Sequence, residues 1–238
     1  MSESAPGFIS HPLLSSVGVA HGFGTRQAPE ADGRVRPRQV HGVAVARVGP
    51  GGELDLEEAD AVLSGRPGFG VGIVTADCVP VLAALESGRA VVAIHAGWRG
   101  LAAGVVGAGI AALRAQGQTE ERVLAAVGPR IGRCCYEVDA PVMNPLRSRF
   151  GSGVGSASEA SRAGHWWLDL GQLVALDLRR SGVATDALAV LDDVCTACGK
   201  DRFESFRRDG AAAGRLLHYI TPIDSPRSGR AKGRSGGA

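Results

Sequence analysis

Two histidines and one cysteine stand in short, distinctive segments in the first half of the chain. His41 lies in a QVHG segment, Cys78 in a TADC segment and His95 in an IHAGWRG segment. Imidazole nitrogen and thiolate sulfur are good zinc ligands, and three protein ligands leave one tetrahedral position open for a substrate or water. These residue types therefore indicate one metal site with catalytic potential.

The spacing of these three residues leaves other interpretations open. They are separated by 37 and 17 positions, which matches no zinc-finger spacing. A single histidine is commonly an ordinary surface or core residue, and a buried cysteine often packs as a small hydrophobe. A Cys78 nucleophile activated by His95, with no metal, is a second chemistry that the same residues support.

The elements around these residues place them at strand ends and turns. The segment GVGIVTADCVPVLAAL is apolar and β-branched, and Pro80 within it predicts that a strand ends or bulges near Cys78. Residues 89–94 predict a short buried strand that runs into the turn holding His95. Residues 101–116 predict the buried helix that follows.

Strands and helices continue to alternate along the chain. Residues 123–127 and 187–194 predict strands, whereas residues 168–180 carry apolar side chains at helical spacing. This alternation predicts a layered α/β or α+β domain, with β-sheets packed by helices. A glycine- and serine-rich stretch at residues 151–164 predicts a flexible loop within that domain.

Composition excludes several classes of protein. The chain has 238 residues, of which 21% are charged, and it contains no run of 18 apolar residues that would predict a transmembrane helix. The first ten residues lack the basic cluster and apolar core of a secretory signal. Five cysteines without an export signal argue against a disulfide framework. We therefore expect a cytoplasmic protein with no membrane contact.

The basic character of the chain comes from its C-terminal end. Residues 224–238 hold four basic residues and one acidic residue among glycine, serine and proline, whereas the whole chain has a net charge of +2. Such a composition cannot bury enough apolar surface to fold. We predict a single domain over residues 1–223 and a disordered basic tail over residues 224–238. A solvent-exposed tail explains this positive charge, so we do not expect a nucleic-acid partner.

Taken as a set, the segments resemble the YfiH family, also described as laccase-domain or polyphenol-oxidase-like proteins and associated with purine nucleoside phosphorylase activity. The matching segments are HGFGTR at His21, QVHG, TADCVPVL, AIHAGWRG, GPRIGRCCYEV at Gly128, the dipeptide CT at Cys195, FESFRRDG at Phe203 and the dipeptide GR at Gly214. TADC followed seventeen residues later by the histidine of HAGWRG is a highly specific pair. The implied fold is the one that this family shares with toxin deamidases, a single α+β domain with mixed β-sheets packed by helices.

This resemblance implies a metal site and an activity. In the family, the metal is bound by the residues that are His41, Cys78 and His95 in this sequence. The implied reaction is zinc-dependent phosphorolysis of adenosine, inosine, guanosine and methylthioadenosine, with adenosine deamination as a further activity of the same site. Copper fits the same three ligands. The implied partners are small molecules, namely purine nucleosides and phosphate, and the implied assembly is a monomer or a small homo-oligomer.

The matched segments also suggest roles for individual residues. Cys78, His95 and Asp77 are candidate catalytic residues, with Asp77 as an acid or base, as a partner of a metal-bound histidine, or only as an aspartate that fixes a turn. Arginine suits a phosphate site because its planar guanidinium donates paired hydrogen bonds. The candidate substrate- and phosphate-binding residues are Arg26, Arg99, Arg207 and Arg208.

Two other functions remain open beside this one, and a further one is excluded. A Cys–His hydrolase that acts on peptidoglycan precursors uses the same residues without a metal. A purine-binding module without enzymatic activity is the third class. A multicopper oxidase is excluded because only six scattered histidines are present, too few for an additional trinuclear cluster. The single CxxC at Cys195 has no second CxxC, and the adjacent pair Cys134 and Cys135 is an awkward partner, so we interpret these cysteines as structural or incidental.

Overall fold

The structure, a computed structural model, describes residues 7–29, 33–117, 120–192 and 194–224. The basic tail predicted at the C-terminal end lies outside the described residues, apart from its first residue. The described residues form thirteen β-strands and seven α-helices. No helix in these ranges combines the length and apolar character needed to cross a bilayer.

Strands and helices are distributed along the whole described part of the chain. In chain order the strands are β1 (Phe8–Ile9), β2 (Ala20–Gly24), β3 (Val45–Arg47), β4 (Ala61–Ser64), β5 (Val71–Thr75), β6 (Val79–Leu85), β7 (Val91–Ala96), β8 (Val123–Val127), β9 (Glu137–Asp139), β10 (Ser158–Ala160), β11 (His165–Leu168), β12 (Leu188–Val190) and β13 (Leu216–Thr221). The helices are α1 (Pro12–Ser15), α2 (Trp98–Ala103), α3 (Val105–Arg114), α4 (Ala140–Phe150), α5 (Gly153–Ala157), α6 (Leu170–Arg180) and α7 (Phe206–Asp209).

The strands form three sheets. The largest has six strands in the order β12-β8-β6-β7-β4-β3, with parallel pairs at both edges and antiparallel pairs in the middle. A four-stranded antiparallel sheet has the order β1-β2-β13-β5, and a three-stranded sheet has the order β10-β11-β9. The arrangement confirms the predicted α+β fold with mixed sheets.

The centre of the large sheet is buried on both faces. Every residue of β6 and β7 is buried, and both strands are continuous apolar runs apart from one histidine. Such strands need cover on each side. Helices α3 and α6 pack against the sheet, and strands β5 and β13 of the four-stranded sheet pack against it as well. The core therefore forms between helices and two sheets.

The single helix predicted over residues 101–116 is wrong in one respect. The structure has two helices, α2 and α3, which are separated by Gly104 in a left-handed conformation with φ of 105°. Glycine adopts this conformation without the steric cost that a Cβ would impose. The break redirects the chain, so that Val105, Ile110 and Leu113 on α3 are buried in the core.

The flexible loop predicted over residues 151–164 is also largely wrong. Helix α5 and strand β10 lie within this stretch. Val154 and Ala157 are buried in the core, and β10 pairs with β11 in the register that sets Ser158 opposite Leu168. Few apolar residues were visible in the sequence, but the two that matter are spaced to anchor one short helical turn.

Candidate metal centre and substrate cavity

The antiparallel pairing of β6 and β7 explains why Cys78 lies beside His95. Val79 at the start of β6 pairs with Ala96 at the end of β7, and Pro80 pairs with His95. Cys78 directly precedes β6 and therefore reaches the end of β7 where His95 lies. The chain beyond β7 continues through Gly97, which leaves room for the imidazole of His41 from a separate loop.

The structure brings together the three residues that the sequence singled out. One ligating atom from each of His41, Cys78 and His95 lies within 4.8 Å of the other two. Cys78 Sγ lies 3.9 Å from His41 Nε2, and the two imidazole rings meet edge to face with centroids 4.8 Å apart. Only small movements of the side chains are required for all three to reach one ion at zinc–ligand distances of about 2.0–2.3 Å.

A buried aspartate that sequence reasoning missed organises this centre. Asp60 has no exposed surface, and its Oδ1 accepts a hydrogen bond of 2.7 Å from His95 Nδ1. The same carboxylate accepts the backbone N–H groups of Val40, His41 and Gly42 at 3.2, 2.9 and 2.6 Å. Asp60 therefore fixes the His95 ring with Nε2 directed toward the Cys78 thiol, and it also anchors the loop that carries His41.

The charged forms of His95 and Cys78 stabilise each other. Burial disfavours a charged His95, but its hydrogen bonds to Asp60 and Cys78 raise the pKa of His95 to about 9. Burial likewise disfavours the Cys78 thiolate, but hydrogen bonds from His41 and His95 lower the pKa of Cys78 to about 7. The centre thus favours a thiolate, which is the form of cysteine that binds metals or attacks carbon.

Strained backbone is confined to this region. Among the described residues, His41 and Asp77 are the two non-glycine residues with positive φ, at 59° and 86°. Such conformations cost about 1–3 kcal/mol each and persist only where surrounding contacts enforce them. In this protein the contacts are hydrogen bonds, from the loop amides to Asp60 and from other loops to Asp77.

Of the roles predicted for Asp77, that of partner to a metal-bound histidine falls to Asp60 at His95 Nδ1. Asp77 Oδ1 accepts a hydrogen bond of 2.6 Å from the Thr196 hydroxyl, and its Oδ2 accepts one of 2.6 Å from the Arg207 backbone N–H. Asp77 does line the cavity beside Cys78. Its carboxylate ties the Cys78 turn to the loops on the opposite wall, and its acid–base role stays a prediction.

The three candidate ligands open into a cavity of about 660 Å³. This volume is in the range of about 300–1,000 Å³ that small-molecule sites occupy. Aromatic side chains from Trp98, Tyr136 and Phe206 line it, and so do Arg99 and Arg207. The lining therefore combines flat apolar surfaces with cationic groups. Two further arginines that sequence reasoning did not select, Arg38 and Arg215, also line the cavity.

Two of the four arginines predicted to bind phosphate do not line this cavity. Arg26 donates to the carbonyl oxygen of Phe203 at 3.1 Å and pairs with the carboxylates of Glu204 and Asp209. The guanidinium of Arg208 donates to the carbonyl oxygens of Thr196, Ala197 and Phe203 and to Asp209. Both guanidinium groups hold loops together, and the structure does not bring either of them to the cavity lining.

The structure also gathers four cysteines that were interpreted as structural or incidental. Cys134, Cys135, Cys195 and Cys198 each place Sγ within 4.8 Å of the others. The signal was present in the sequence as a CC pair and a CxxC, but their separation of about sixty residues hides the proximity. In contrast, the signal for Asp60 was one acidic residue between two alanines at the start of an apolar strand.

The donor set at His41, Cys78 and His95 fits a zinc ion. Imidazole and thiolate are borderline and soft donors that zinc accepts, and three protein ligands leave a position that faces the cavity. The Asp60–His95 hydrogen bond is the kind of outer contact that metal-binding histidines make. The described residues thus provide two candidate metal sites, this one and the four-cysteine cluster.

Comparison with known proteins links the chain to one family. The family model described as "Multi-copper polyphenol oxidoreductase laccase" matches residues 23–222. A Xylella fastidiosa protein named purine nucleoside phosphorylase is 38% identical over 181 residues, which cover 72% of this chain and 66% of that protein. A Streptomyces coelicolor protein of the same name is 37% identical over 187 residues, covering 76% of this chain and 72% of that protein.

Solved structures share the fold. The Bacillus licheniformis hypothetical protein YfiH superposes with a TM-score of 0.82 at 23% identity, covering 92% of this chain and 97% of that one. The Neisseria meningitidis protein NMB0706 superposes with a TM-score of 0.79 at 27% identity, covering 92% of this chain and all of that one. The arrangement of three sheets and flanking helices is therefore that of these proteins.

Proposed function

The chain belongs to the YfiH family, whose model describes a laccase-like multi-copper polyphenol oxidoreductase, and from that premise we propose that it is a zinc-dependent purine nucleoside phosphorylase. The observation that carries the proposal is the convergence of His41, Cys78 and His95 on a cavity whose wall also holds Arg99 and Arg207. The names of the curated relatives support the same reaction.

The ligand chemistry favours zinc over a multicopper centre. His41, Cys78 and His95 would hold the metal, which would supply a Lewis acid that polarises a substrate oxygen. Four histidines remain. The buried His218 is hydrogen-bonded to the Thr75 hydroxyl, the backbone N–H of His11 donates to His21 Nε2, and His165 is hydrogen-bonded to the carbonyl oxygen of Ala163. None of these histidines lines the cavity. The chain therefore lacks the additional histidines of a trinuclear copper cluster, although one copper ion fits the same three ligands.

The arginine side chains that line the cavity provide a binding site for the phosphate substrate. The cavity face presents Arg99 and Arg207, and a guanidinium donates to phosphate in paired, charge-assisted hydrogen bonds. Arg207 already donates through Nη1 to the carbonyl oxygens of Cys135 and Glu137, which holds its plane in place. The Arg99 guanidinium lies 4.3 Å from the centre of the Trp98 ring, and within the described part of the chain it donates to no carbonyl oxygen. We assign Arg99 as the principal phosphate ligand.

Phosphorolysis then requires positioning of the nucleoside and exclusion of water. A phosphate oxygen attacks C1′ of the sugar, and the bond from C1′ to the purine nitrogen breaks with its electron pair going to the purine. The flat faces of Trp98, Tyr136 and Phe206 suit stacking against a purine ring. Dihydrogen phosphate can provide the proton that the leaving nitrogen needs, so the reaction balances without a further reactant.

Adenosine, inosine, guanosine and methylthioadenosine are the proposed substrates, and adenosine deamination is a proposed additional activity of the same cavity. The decisive assay follows each nucleoside by chromatography with and without phosphate. We expect phosphate-dependent appearance of the free base and sugar phosphate, and inosine from adenosine independent of phosphate. Substitution His41→Ala should abolish phosphorolysis, whereas His165→Ala, which changes a histidine outside the cavity, should leave it unchanged.

A metal-free cysteine hydrolase acting on peptidoglycan precursors is the second candidate, because the pKa of Cys78 is lowered to about 7 by neighbouring histidines. The two functions differ in how Cys78 reacts. A zinc-bound thiolate resists iodoacetamide until a chelator removes the metal, so activity and protection are lost together. Rapid alkylation of Cys78 without chelator, with full activity retained in strong chelator, would favour the hydrolase and contradict the phosphorylase proposal.

A further inference from the structure

A second group of thiols lies beside the cavity, outside the site described above. Cys134 and Cys135 follow β8, and Cys195 and Cys198 follow β12. Strands β8 and β12 are parallel neighbours at one edge of the large sheet, and the pairing continues as an isolated bridge between Arg130 and Cys195. Both loops therefore leave the same end of the sheet and bring their four free cysteines together.

The distances between these sulfur atoms are those of a metal site. Cys134 Sγ lies 3.6 Å from both Cys195 Sγ and Cys198 Sγ, and Cys135 Sγ lies 3.3 Å from Cys198 Sγ. A disulfide requires about 2.05 Å. Four thiolates bound tetrahedrally to zinc at about 2.3 Å are about 3.8 Å apart from one another. The cluster is already close to that arrangement.

We propose that Cys134, Cys135, Cys195 and Cys198 bind a second zinc ion with a structural role. Four protein ligands leave no open position, which is the pattern of structural zinc sites rather than catalytic ones. Thiolates also select zinc over calcium or magnesium, which require oxygen ligands.

The surroundings suit the excess negative charge of four thiolates on one divalent ion. The backbone N–H of Gly132 donates to Cys195 Sγ at 3.2 Å. The largely buried guanidinium of Arg130 interacts electrostatically with Asp169 and Asp192 and, less strongly, with Cys195. Amide donors and a nearby cation stabilise sulfur ligands and orient them toward the metal. Charge compensation is therefore built into the same loop that supplies Cys134 and Cys135.

The proposed ion would clamp two loops that form a wall of the cavity. The loop with Cys135 continues directly into Tyr136, and the carbonyl oxygen of Cys135 accepts from Arg207 Nη1 at 3.2 Å. The loop with Cys195 carries Thr196, whose hydroxyl donates to Asp77 beside Cys78. Holding the four sulfurs in place thus fixes the two loops relative to each other and to the Cys78 turn.

The test separates this site from the His41–Cys78–His95 site. Cys78→Ala removes the thiolate of that first site and leaves all four cysteines of the cluster intact. Elemental analysis should find two zinc ions per chain in the wild type and one in Cys78→Ala. Zinc-edge X-ray absorption of Cys78→Ala should then show four sulfur ligands at about 2.3 Å and no nitrogen or oxygen ligand.

Substitution of the cluster provides the reciprocal measurement. The double variant Cys195→Ser, Cys198→Ser should lose one zinc ion and retain the ion at the His41–Cys78–His95 site. If this variant does not fold, the absorption spectrum of Cys78→Ala decides the matter, because its cluster is unchanged. The readouts are metal content and ligand shell, so they hold whether or not the chain proves to be a phosphorylase.

Specific results would overturn the proposal. Folded Cys78→Ala protein without bound zinc would do so, and so would a zinc shell that contains nitrogen or oxygen. A Cys135–Cys198 disulfide in the protein as purified, identified by peptide mass, would replace the metal site with a redox pair. Iron in a four-sulfur shell would support the cluster as a metal site and overturn its assignment to zinc.

Discussion

Asp60→Asn offers a sharp test of how the centre is held together. The two carboxylate oxygens of Asp60 accept four hydrogen bonds, two at each oxygen. Asparagine has nearly the same shape but replaces one oxygen with an NH2 group that can only donate. In either orientation, that NH2 group faces two donors: the backbone amides of Val40 and Gly42, or that of His41 together with His95.

The expected cost follows from this mismatch. A fully buried donor left without an acceptor costs about 1–3 kcal/mol. Because the loop amides are only partly buried, the two donors together should lower the free energy of unfolding by about 2–3 kcal/mol. Loss of the aspartate also removes the charged group that orients His95. Loss of such an outer partner typically lowers metal affinity by about 10–100-fold, and we expect that reduction in zinc affinity here.

Two measurements on the same protein check this reasoning. Urea denaturation of the metal-free protein gives the change in unfolding free energy, and competition with a chromophoric chelator gives the zinc affinity of the folded variant. Asp186→Asn is the matched control, because the Asp186 side chain is 76% exposed and pairs only at the surface with Arg122. It should change stability by less than about 1 kcal/mol. Wild-type zinc affinity in folded Asp60→Asn would refute the role assigned to Asp60.

Three further perturbations separate the remaining roles. Arg99→Ala should raise the KM for phosphate about 10–100-fold, because a charge-assisted contact is lost. Arg208→Ala should lower thermal stability and leave that KM unchanged. Equal effects of the two substitutions on the KM would contradict the assignment. In metal-free protein, the rate of Cys78 alkylation should rise with pH and reach half its maximum near pH 7, since the pKa is lowered to about 7; an inflection near pH 9 would contradict that environment. Gly97→Ala should weaken zinc binding with little change in stability, because the added Cβ would lie 2.7 Å from a ring carbon of His41. Zinc affinity is measured by chelator competition, and an unchanged affinity would contradict this geometry.

The residues of the first metal site could be predicted because each lies in a short segment that is recognisable from its own few residues. TADC and HAGWRG are recognisable without knowledge of pairing, and each places its ligand next to a strand. The strands themselves were visible as apolar runs, and the predicted strand at residues 123–127 is β8 as expected. Their ends were less certain: His95 lies within β7, not in the turn after it.

Residues whose role depends on distant partners could not be predicted in this way. Asp60 contacts His95 because β4 pairs with β7 in the register that sets Ala61 opposite Ile94. The amino-acid sequence of the two strands does not predict this register. Likewise, nothing in the sequence distinguishes Arg207, which lines the cavity, from its neighbour Arg208, which donates to carbonyl oxygens of nearby loops. Residue type limits the chemistry of a side chain, whereas long-range pairing decides where that chemistry is used.

Asp77 is the point at which the two candidate metal sites meet. Its left-handed backbone is unfavourable by about 1–3 kcal/mol in isolation, and it is held by hydrogen bonds from Thr196 and the Arg207 backbone. Thr196 stands directly after Cys195, and Arg207 contacts the carbonyl oxygen of Cys135. The four-cysteine cluster therefore fixes the two groups that hold Asp77, and Asp77 in turn sets the position of the Cys78 thiolate. A structural ion in the cluster would stiffen the candidate metal centre at Cys78 through this short chain of contacts, without entering the cavity.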